Sequence, residues 1–298
     1  MTSTGSPGLI EGLGPLASRF DAYLLDQYGV LHDGQQLYPG VLDCLAALRE
    51  AGKRVLILSN SGRRKQPNSE RLARIGLPPE LYDDFITSGE VAREALAEAP
   101  QDLLGQGGNG APLRCLALGG AADRALLEGL DIAFVDDVGE ADFMLLASFG
   151  DRLPAGDAFD ETFAAAGERK LALVCANPDI KGIAGSGLHA APGALAARYE
   201  KDGGRVVYVG KPHPLIYRAA LAGLAPLAPG RVLAVGDSLA HDIAGAAAAR
   251  LASAFVLNGI HRKDLGESPA SPGFDDRLAA LMREHRAEPD YLLPSLSW

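Results

Sequence analysis

The chain has 298 residues, enough for one large domain or two of ordinary size, and is 47% hydrophobic and 22% charged, a globular composition with ample core material. Its 28 basic and 38 acidic side chains give a formal charge of −10, which excludes nucleic acid and anionic membrane as partners unless a local basic patch intervenes. The one basic cluster, Arg63, Arg64 and Lys65, reads as a solvated approach to a helix. No apolar run approaches a membrane span, and MTSTGSPGLIEGLG at the start lacks the basic-then-apolar order of a signal peptide, so a cytoplasmic protein is expected. Cys44, Cys115 and Cys175 are far apart in apolar runs, which suits buried thiols in a reducing compartment and neither zinc nor a disulfide framework.

In chain order, apolar runs at 22–26, 54–59, 114–118, 142–149, 171–176, 205–209, 231–235 and 252–257 predict buried strands. Helical patterns lie between them. VLDCLAALREAG follows the first run and EVAREALAEA the second, GALAARYEKDGG precedes 205–209, and PLIYRAALAGL and DIAGAAAARL flank 231–235. Strands alternating with helices predict an α/β protein with a largely parallel sheet covered on both faces. QDLLGQGGNGA at 101–111 breaks the pattern, so a second α/β unit over 100–205 is expected, inserted into a core formed by 1–99 and 206–298. The GxGGxG-like string at 105–110 precedes a strand, whereas a dinucleotide fingerprint follows one, so a loop is predicted there. SPASPG (268–273) also reads as a loop.

Four strand ends carry polar chemistry. AYLLDQYGVLHDG (22–34) delivers Asp26 into a glycine turn; LILSNSG ends in Ser59 and Asn60; VVYVGKPHP presents Lys211; VLAVGDSLAHD presents Asp237 with Asp242 beyond it. If these strands are parallel neighbours, one sheet edge collects carboxylates, a lysine, a hydroxyl and an amide, at the place where open α/β sheets bind ligands. Carboxylates from two strands can hold Mg²⁺, and one beside a metal-bound phosphate can attack phosphorus. The lysine, the serine hydroxyl and turn N–H groups can neutralise the oxygens of a transferring phosphoryl group. Singly, each has a plainer reading: Asp26 or Ser59 as a helix cap, Lys211 as a surface charge, Gly-Asp-Ser as an ordinary turn.

These four elements, in this order, resemble the haloacid dehalogenase-like (HAD) superfamily. The insertion between the second and third resembles its class II, subfamily A branch of NagD-like, phosphoglycolate and pyridoxal-phosphate phosphatases. CANPDI (175–180), PGALA (192–196), GKPHPLIY and VGDSLAHDIAGA are similar to further segments of that branch. The resemblance implies a Rossmann-like core with an inserted C2-type α/β cap that closes over the site and selects the substrate. It implies a Mg²⁺-dependent phosphatase acting on a small phosphorylated metabolite such as a sugar phosphate, and leaves a homodimer through the cap open. Asp26 would be nucleophile and metal ligand, Asp237 the second carboxylate ligand, and the carbonyl of Tyr28 a third. Ser59 and Asn60 would hold the phosphoryl group, Lys211 would bridge Asp26 and the phosphate, and Asp242 would orient Lys211 or a metal-bound water. Asn177 and Asp179 would serve substrate binding from the cap, where His189 is a further candidate. His32, His189, His213 and His241 lack metal-ligand spacing, and IHR at 260–262 is similar to the branch without an assigned role.

One position departs from the family pattern. Two residues past the nucleophile the family keeps an aspartate that protonates the leaving oxygen and activates water; this chain has Tyr28, whose unperturbed pKa of about 10 suits neither task near neutrality. Three outcomes stay open: a slow phosphatase confined to good leaving groups, a proton supplied by His32, Asp33 or Asp179, or a protein that binds phosphometabolites without turnover. A phosphotransferase is the related alternative, since a phosphorylated Asp26 without its water-activating base would live longer.

Overall fold

The structure, a computed structural model, describes residues 7–105, 111–149, 157–184, 187–266 and 268–298, and describes no side chain from 182 to 189. The glycine-rich string beyond Gly105 and the side chain of His189 therefore lie outside the described residues. The strands in chain order begin with β1 (Gly8–Leu9), β2 (Ala22–Leu25), β3 (Arg54–Ser59), β4 (Asp84–Thr87), β5 (Leu113–Ala117), β6 (Ile132–Val135) and β7 (Phe143–Leu146). They continue with β8 (Ala172–Cys175), β9 (Lys181–Ala184), β10 (Gly187–Ala190), β11 (Arg205–Tyr208), β12 (Val232–Gly236), β13 (Ala252–Val256) and β14 (Tyr291–Leu293).

The chain forms two compact units: Met1–Ser59, Gln66–Ile86 and Lys211–Trp298 make the first, Asn60–Lys65 and Thr87–Gly210 the second. The first holds a sheet of order β1-β14-β13-β12-β2-β3-β4, parallel from β1 through β3. The side-chain alternation of a strand divides its residues between two faces. Tyr23, Leu25, Val55, Ile57, Leu233 and Val235 share one apolar cluster with Cys44, Leu45 and Leu48 of α1 (Val41–Glu50). Leu24 and Leu56, of opposite parity, are equally buried, so the sheet is covered on both faces, as its continuous apolar strands require. Burial at Val41, Cys44, Leu45 and Leu48 is the i, i+3, i+4, i+7 stripe of a helix with one face on a core.

The second unit holds a parallel sheet of order β11-β8-β7-β5-β6 and an antiparallel β9–β10 hairpin. Its core gathers Met144, Leu146, Phe163, Leu173, Cys175 and Tyr199. Besides taking in Asn60–Lys65, the unit differs from the 100–205 read in the sequence at both ends. β11 pairs with β8 along its whole length, so the unit runs on to Gly210. The helix α3 (Ser88–Glu98), counting α2 (Lys65–Arg74) before it, also belongs here, Arg93 Nη1 donating to Leu126 O at 2.9 Å. β1, β4, β6, β14 and the hairpin, of two to four residues each, were not among the apolar runs.

On the helix Ala121–Leu126, which follows β5, Asp123 is fully buried. Its carboxylate accepts N–H groups from Gly119 (2.8 Å), Ala147 (3.0 Å) and Ser148 (3.1 Å), tying the ends of β5 and β7 together. Burial pushes the carboxyl up to about 7 against the pull of these three donors. Removing the acceptor leaves buried N–H groups unmatched, so Asp123→Ala should destabilise the protein by about 3 kcal/mol. Urea denaturation midpoints measure this, and an unchanged midpoint would show that the carboxylate bears no load.

Candidate active site

Within the first unit, register decides what meets. Leu25 stands opposite Val235 on one side and Ile57 on the other. Asp26, Ser59 and Asp237 therefore leave three adjacent parallel strands at one carboxyl edge. Asp26 N still donates to Val235 O at 2.9 Å, which fixes the backbone at Asp26. Lys211 reaches this group by another route. The condition that its strand neighbour the other three is not met: β11 belongs to the second unit's sheet, and Lys211 stands ahead of the helix Pro214–Gly223 in the first unit.

Lys211 Nζ donates to Asp26 Oδ1 at 2.6 Å and to Asp242 Oδ1 at 2.7 Å, with its side chain 4% exposed. Asp242 lies on the turn Leu239–Ile243, and its Oδ2 accepts the Ser238 N–H at 3.0 Å. Asp237 Oδ2 accepts the Ile260 N–H at 2.7 Å, which gives IHR a structural part: it anchors a carboxylate. Ser59 is buried and its Oγ accepts from Gln27 Nε2. Sequence reasoning passed over Gln27; the available signal was a polar residue sunk between Asp26 and a tyrosine at the end of an apolar run. Gly29, at φ +78°, is required for close approach, because a Cβ there would lie 1.8 Å from Asp237 Oδ2.

Asp26, Asp237 and Asp242 each offer an oxygen within 4.8 Å of the others. Burial pushes Asp26 up to about 7, with Lys211 opposing and Asp242 adding to the rise. Burial first, then Asp26 and Asp242, hold Asp237 well above the usual carboxylate range. Lys211 is disfavoured by burial, yet Asp242 and Asp26 outweigh that and keep it an ammonium. Three carboxylates against one ammonium leave negative charge uncompensated, and an all-oxygen donor set of this charge fits a hard divalent cation such as Mg²⁺. A carboxyl whose folded pKa is raised contributes stability fully present below its unfolded value and lost as pH rises through the folded one. Chelator-treated protein should therefore lose thermal stability between about pH 4 and pH 7, and millimolar Mg²⁺ should restore it most above pH 7. Melting curves that are flat with pH and indifferent to Mg²⁺ would count against this account.

Two of the candidate proton donors, His32 and Asp33, lie in the loop that follows Tyr28. His32 is fully buried; its Nδ1 accepts the Gly34 N–H at 2.8 Å, and burial, then Arg71, push it down to about 4, so it is neutral near neutrality. Asp33 is exposed and accepts the N–H groups of Gln35 and Gln36, forming a turn.

Within the second unit, Asn60 Nδ2 donates to Asp179 Oδ1 at 2.7 Å, and Asp179 N donates to Asn177 Oδ1 at 3.2 Å. The CANPDI and PGALA segments prove to be one structure: Gly193 N donates to Asp179 O at 3.0 Å, and a Cβ on Gly193 would lie 2.1 Å from Pro178 O. Arg64 of the basic cluster pairs with Glu90 at 3.0 Å, while Thr87 caps α3 by accepting the Glu90 N–H at 3.0 Å.

A doubly covered parallel sheet thus gathers, at one carboxyl edge, the carboxylates of Asp26, Asp237 and Asp242 and the ammonium of Lys211. Family models described as haloacid dehalogenase-like hydrolase match residues 23–133 and 94–250, the latter more than half the chain, and a HAD-hydrolase-like model matches 208–297. The chain belongs to the haloacid dehalogenase-like hydrolase family, and its relatives lie in the NagD-like branch. It is 28% identical to chronophin from Rattus norvegicus over 272 residues, covering 85% of this chain and 81% of that protein. It is 40% identical to ribonucleotide monophosphatase NagD from Escherichia coli K12 over 114 residues, 38% of this chain and 43% of that protein. Among solved structures, a haloacid dehalogenase-like hydrolase from Brucella suis 1330 superposes with a TM-score of 0.75 at 30% identity, covering 85% of this chain and 94% of that one. No helix among the described residues is long and apolar enough to cross a membrane.

Proposed function

We propose that this HAD-family phosphatase hydrolyses a small phosphate monoester, such as a sugar phosphate, through an aspartyl-phosphate on Asp26. The observation that carries the reading is Lys211, buried and hydrogen-bonded to both Asp26 and Asp242 at the edge where Asp237 also emerges. Mg²⁺ would be held by Asp26, Asp237 and the Tyr28 carbonyl, with Asp242 alongside, and when bound it supplies positive charge that offsets the phosphoryl oxygens. A carboxylate oxygen of Asp26 attacks phosphorus; the bond from phosphorus to the ester oxygen breaks, and that oxygen leaves with the electron pair and takes a proton from water. Lys211 and the Ser59 hydroxyl stabilise charge on the transferring group. Water then attacks the phosphorus of the aspartyl-phosphate, releasing inorganic phosphate and regenerating Asp26.

The second unit is the proposed cap, with Asn60, Asn177 and Asp179 contributing to substrate binding; the Asn60–Asp179 hydrogen bond supports treating them as a set. The acidic surface favours a small ligand over nucleic acid, and the name of the partial relative NagD agrees with a phosphorylated metabolite. A panel of aryl, alkyl and sugar phosphates assayed with and without Mg²⁺ tests the reading. Mg²⁺-dependent release of phosphate, lost in Asp26→Asn, is expected; equal background rates for the two proteins would end it.

A further inference from the structure

The Tyr28 ring is braced from two sides in the loop after β2. The His32 ring meets it edge-on with centroids 4.4 Å apart. From α2, the Arg71 guanidinium lies over the ring at 5.2 Å, while Nη2 of the same residue donates to Gly34 O at 3.0 Å. Gly34 sits at φ +100°, and a Cβ there would lie 3.1 Å from Tyr28 Cε1, so only glycine lets the loop close on the ring. The loop is also held by Leu31 N and His32 N donating to Gln27 O, at 2.9 and 3.1 Å. His32 uses Nδ1 as an acceptor, which puts its proton on Nε2, a buried atom with no hydrogen-bond partner among the described residues. The ring of Tyr28 contacts His32 and Arg71, and its backbone bridges to His32.

The peptide that this ring steadies is the one beside the acid cluster, since Gly29 packs directly against Asp237 Oδ2. We propose that the Tyr28 ring, gripped by Arg71 and His32, is an anchor that positions its own backbone carbonyl as a ligand for the divalent cation, and that Arg71 is a positioning residue for that site. The inference rests on the proposed function's reading that Asp26, Asp237 and the Tyr28 carbonyl bind Mg²⁺. A side chain that packs replaces one that would carry a proton, and the loop gains a fixed shape in exchange.

The test uses full-length Tyr28→Phe, Tyr28→Leu, Arg71→Met and the Tyr28→Leu/Arg71→Met double variant. Mg²⁺ affinity is measured by calorimetry without substrate, and kcat and KM on an aryl phosphate at several Mg²⁺ concentrations. Tyr28→Phe keeps the ring and should bind Mg²⁺ several-fold more tightly than Tyr28→Leu. Tyr28→Leu and Arg71→Met should each weaken Mg²⁺ binding by about ten-fold, the scale for outer-sphere supports of a metal site, with substrate KM unchanged and kcat recovering at saturating Mg²⁺. The double variant should be no worse than Tyr28→Leu, because both remove one device. Wild-type Mg²⁺ affinity in a folded Tyr28→Leu, or equal losses in Tyr28→Phe and Tyr28→Leu, would overturn the proposal. If Tyr28→Leu fails to fold, Arg71→Met, altered at a half-buried helix position, decides alone. If wild type and Asp237→Asn both ignore Mg²⁺, the metal reading itself is wrong and the anchor falls with it.

Discussion

Asp26→Asn is expected to reduce phosphate release to the rate of Mg²⁺ and buffer alone, a fall of about a thousand-fold or more, the scale for removing the residue that forms the covalent bond. The carboxamide preserves shape but has no anionic oxygen to attack phosphorus. Its effect on stability should run the other way. Asp26 is a buried carboxyl pushed up by desolvation and by Asp242, and it raises Asp237 in turn. Neutralising it relieves both in cation-free protein, while the Lys211–Asp242 pair at 2.7 Å remains. The variant should therefore melt no lower than wild type without Mg²⁺, and about 1 kcal/mol higher is the scale for easing a functional site. It should also gain less from added Mg²⁺. Phosphatase assays and melting curves on the same preparations check both halves. Undiminished activity would remove Asp26 from the chemistry, and a large loss of stability would show that its charge is already balanced in the fold.

How far the sequence revealed this site depended on which contacts were local. Asp26, Ser59 and Asp237 each end an unbroken apolar run, and such runs fit only a covered parallel sheet, so their shared edge was legible. Lys211 also follows a strand, but nothing in VVYVG tells which of two sheets it joins; pairing with Ala172–Cys175 is a long-range choice made by packing. Asn60 and Asp179 lie 119 positions apart, and their hydrogen bond leaves no trace in spacing. The resemblance grouped them by motif but did not supply the contact. Tyr28 is the instructive case. Read alone, it was a missing acid. Its partner Arg71 lies 43 positions away, and only the fold brings its guanidinium over the Tyr28 ring and its Nη2 to Gly34 O. β14 stayed invisible because three residues carry no period, although Leu292 and Leu293 are buried and the strand extends the first sheet.

Lys211→Met should have the largest effect on the fold. Methionine matches the apolar stem of lysine, so the change isolates the ammonium, which is 4% exposed and shared between Asp26 at 2.6 Å and Asp242 at 2.7 Å. Without it two buried carboxylates face each other, with Asp237 oxygen in the same 4.8 Å cluster. Removing one partner of a buried ion pair destabilises by about 3–5 kcal/mol, and this loss should depend on pH in a definite direction. With the ammonium gone, the folded-state pKa of Asp26 climbs further above its unfolded value. A group so raised contributes stability fully present below about pH 4 and lost as pH rises through the folded value. The deficit of the variant against wild type should accordingly be small near pH 5, where the carboxyls take up protons, and full near pH 8. Urea midpoints at the two pH values, without divalent cation, measure it. A packing defect would give the same deficit at both, so a pH-independent loss would refute the electrostatic account. Added Mg²⁺ should recover part of the stability, because it neutralises the same oxygens, but not the rate. Losing one preorganised donor to the transferring group costs about a hundred- to thousand-fold in kcat. Lys211→Arg should not restore that rate, since a planar guanidinium cannot place one nitrogen between two carboxylates as the buried ammonium does.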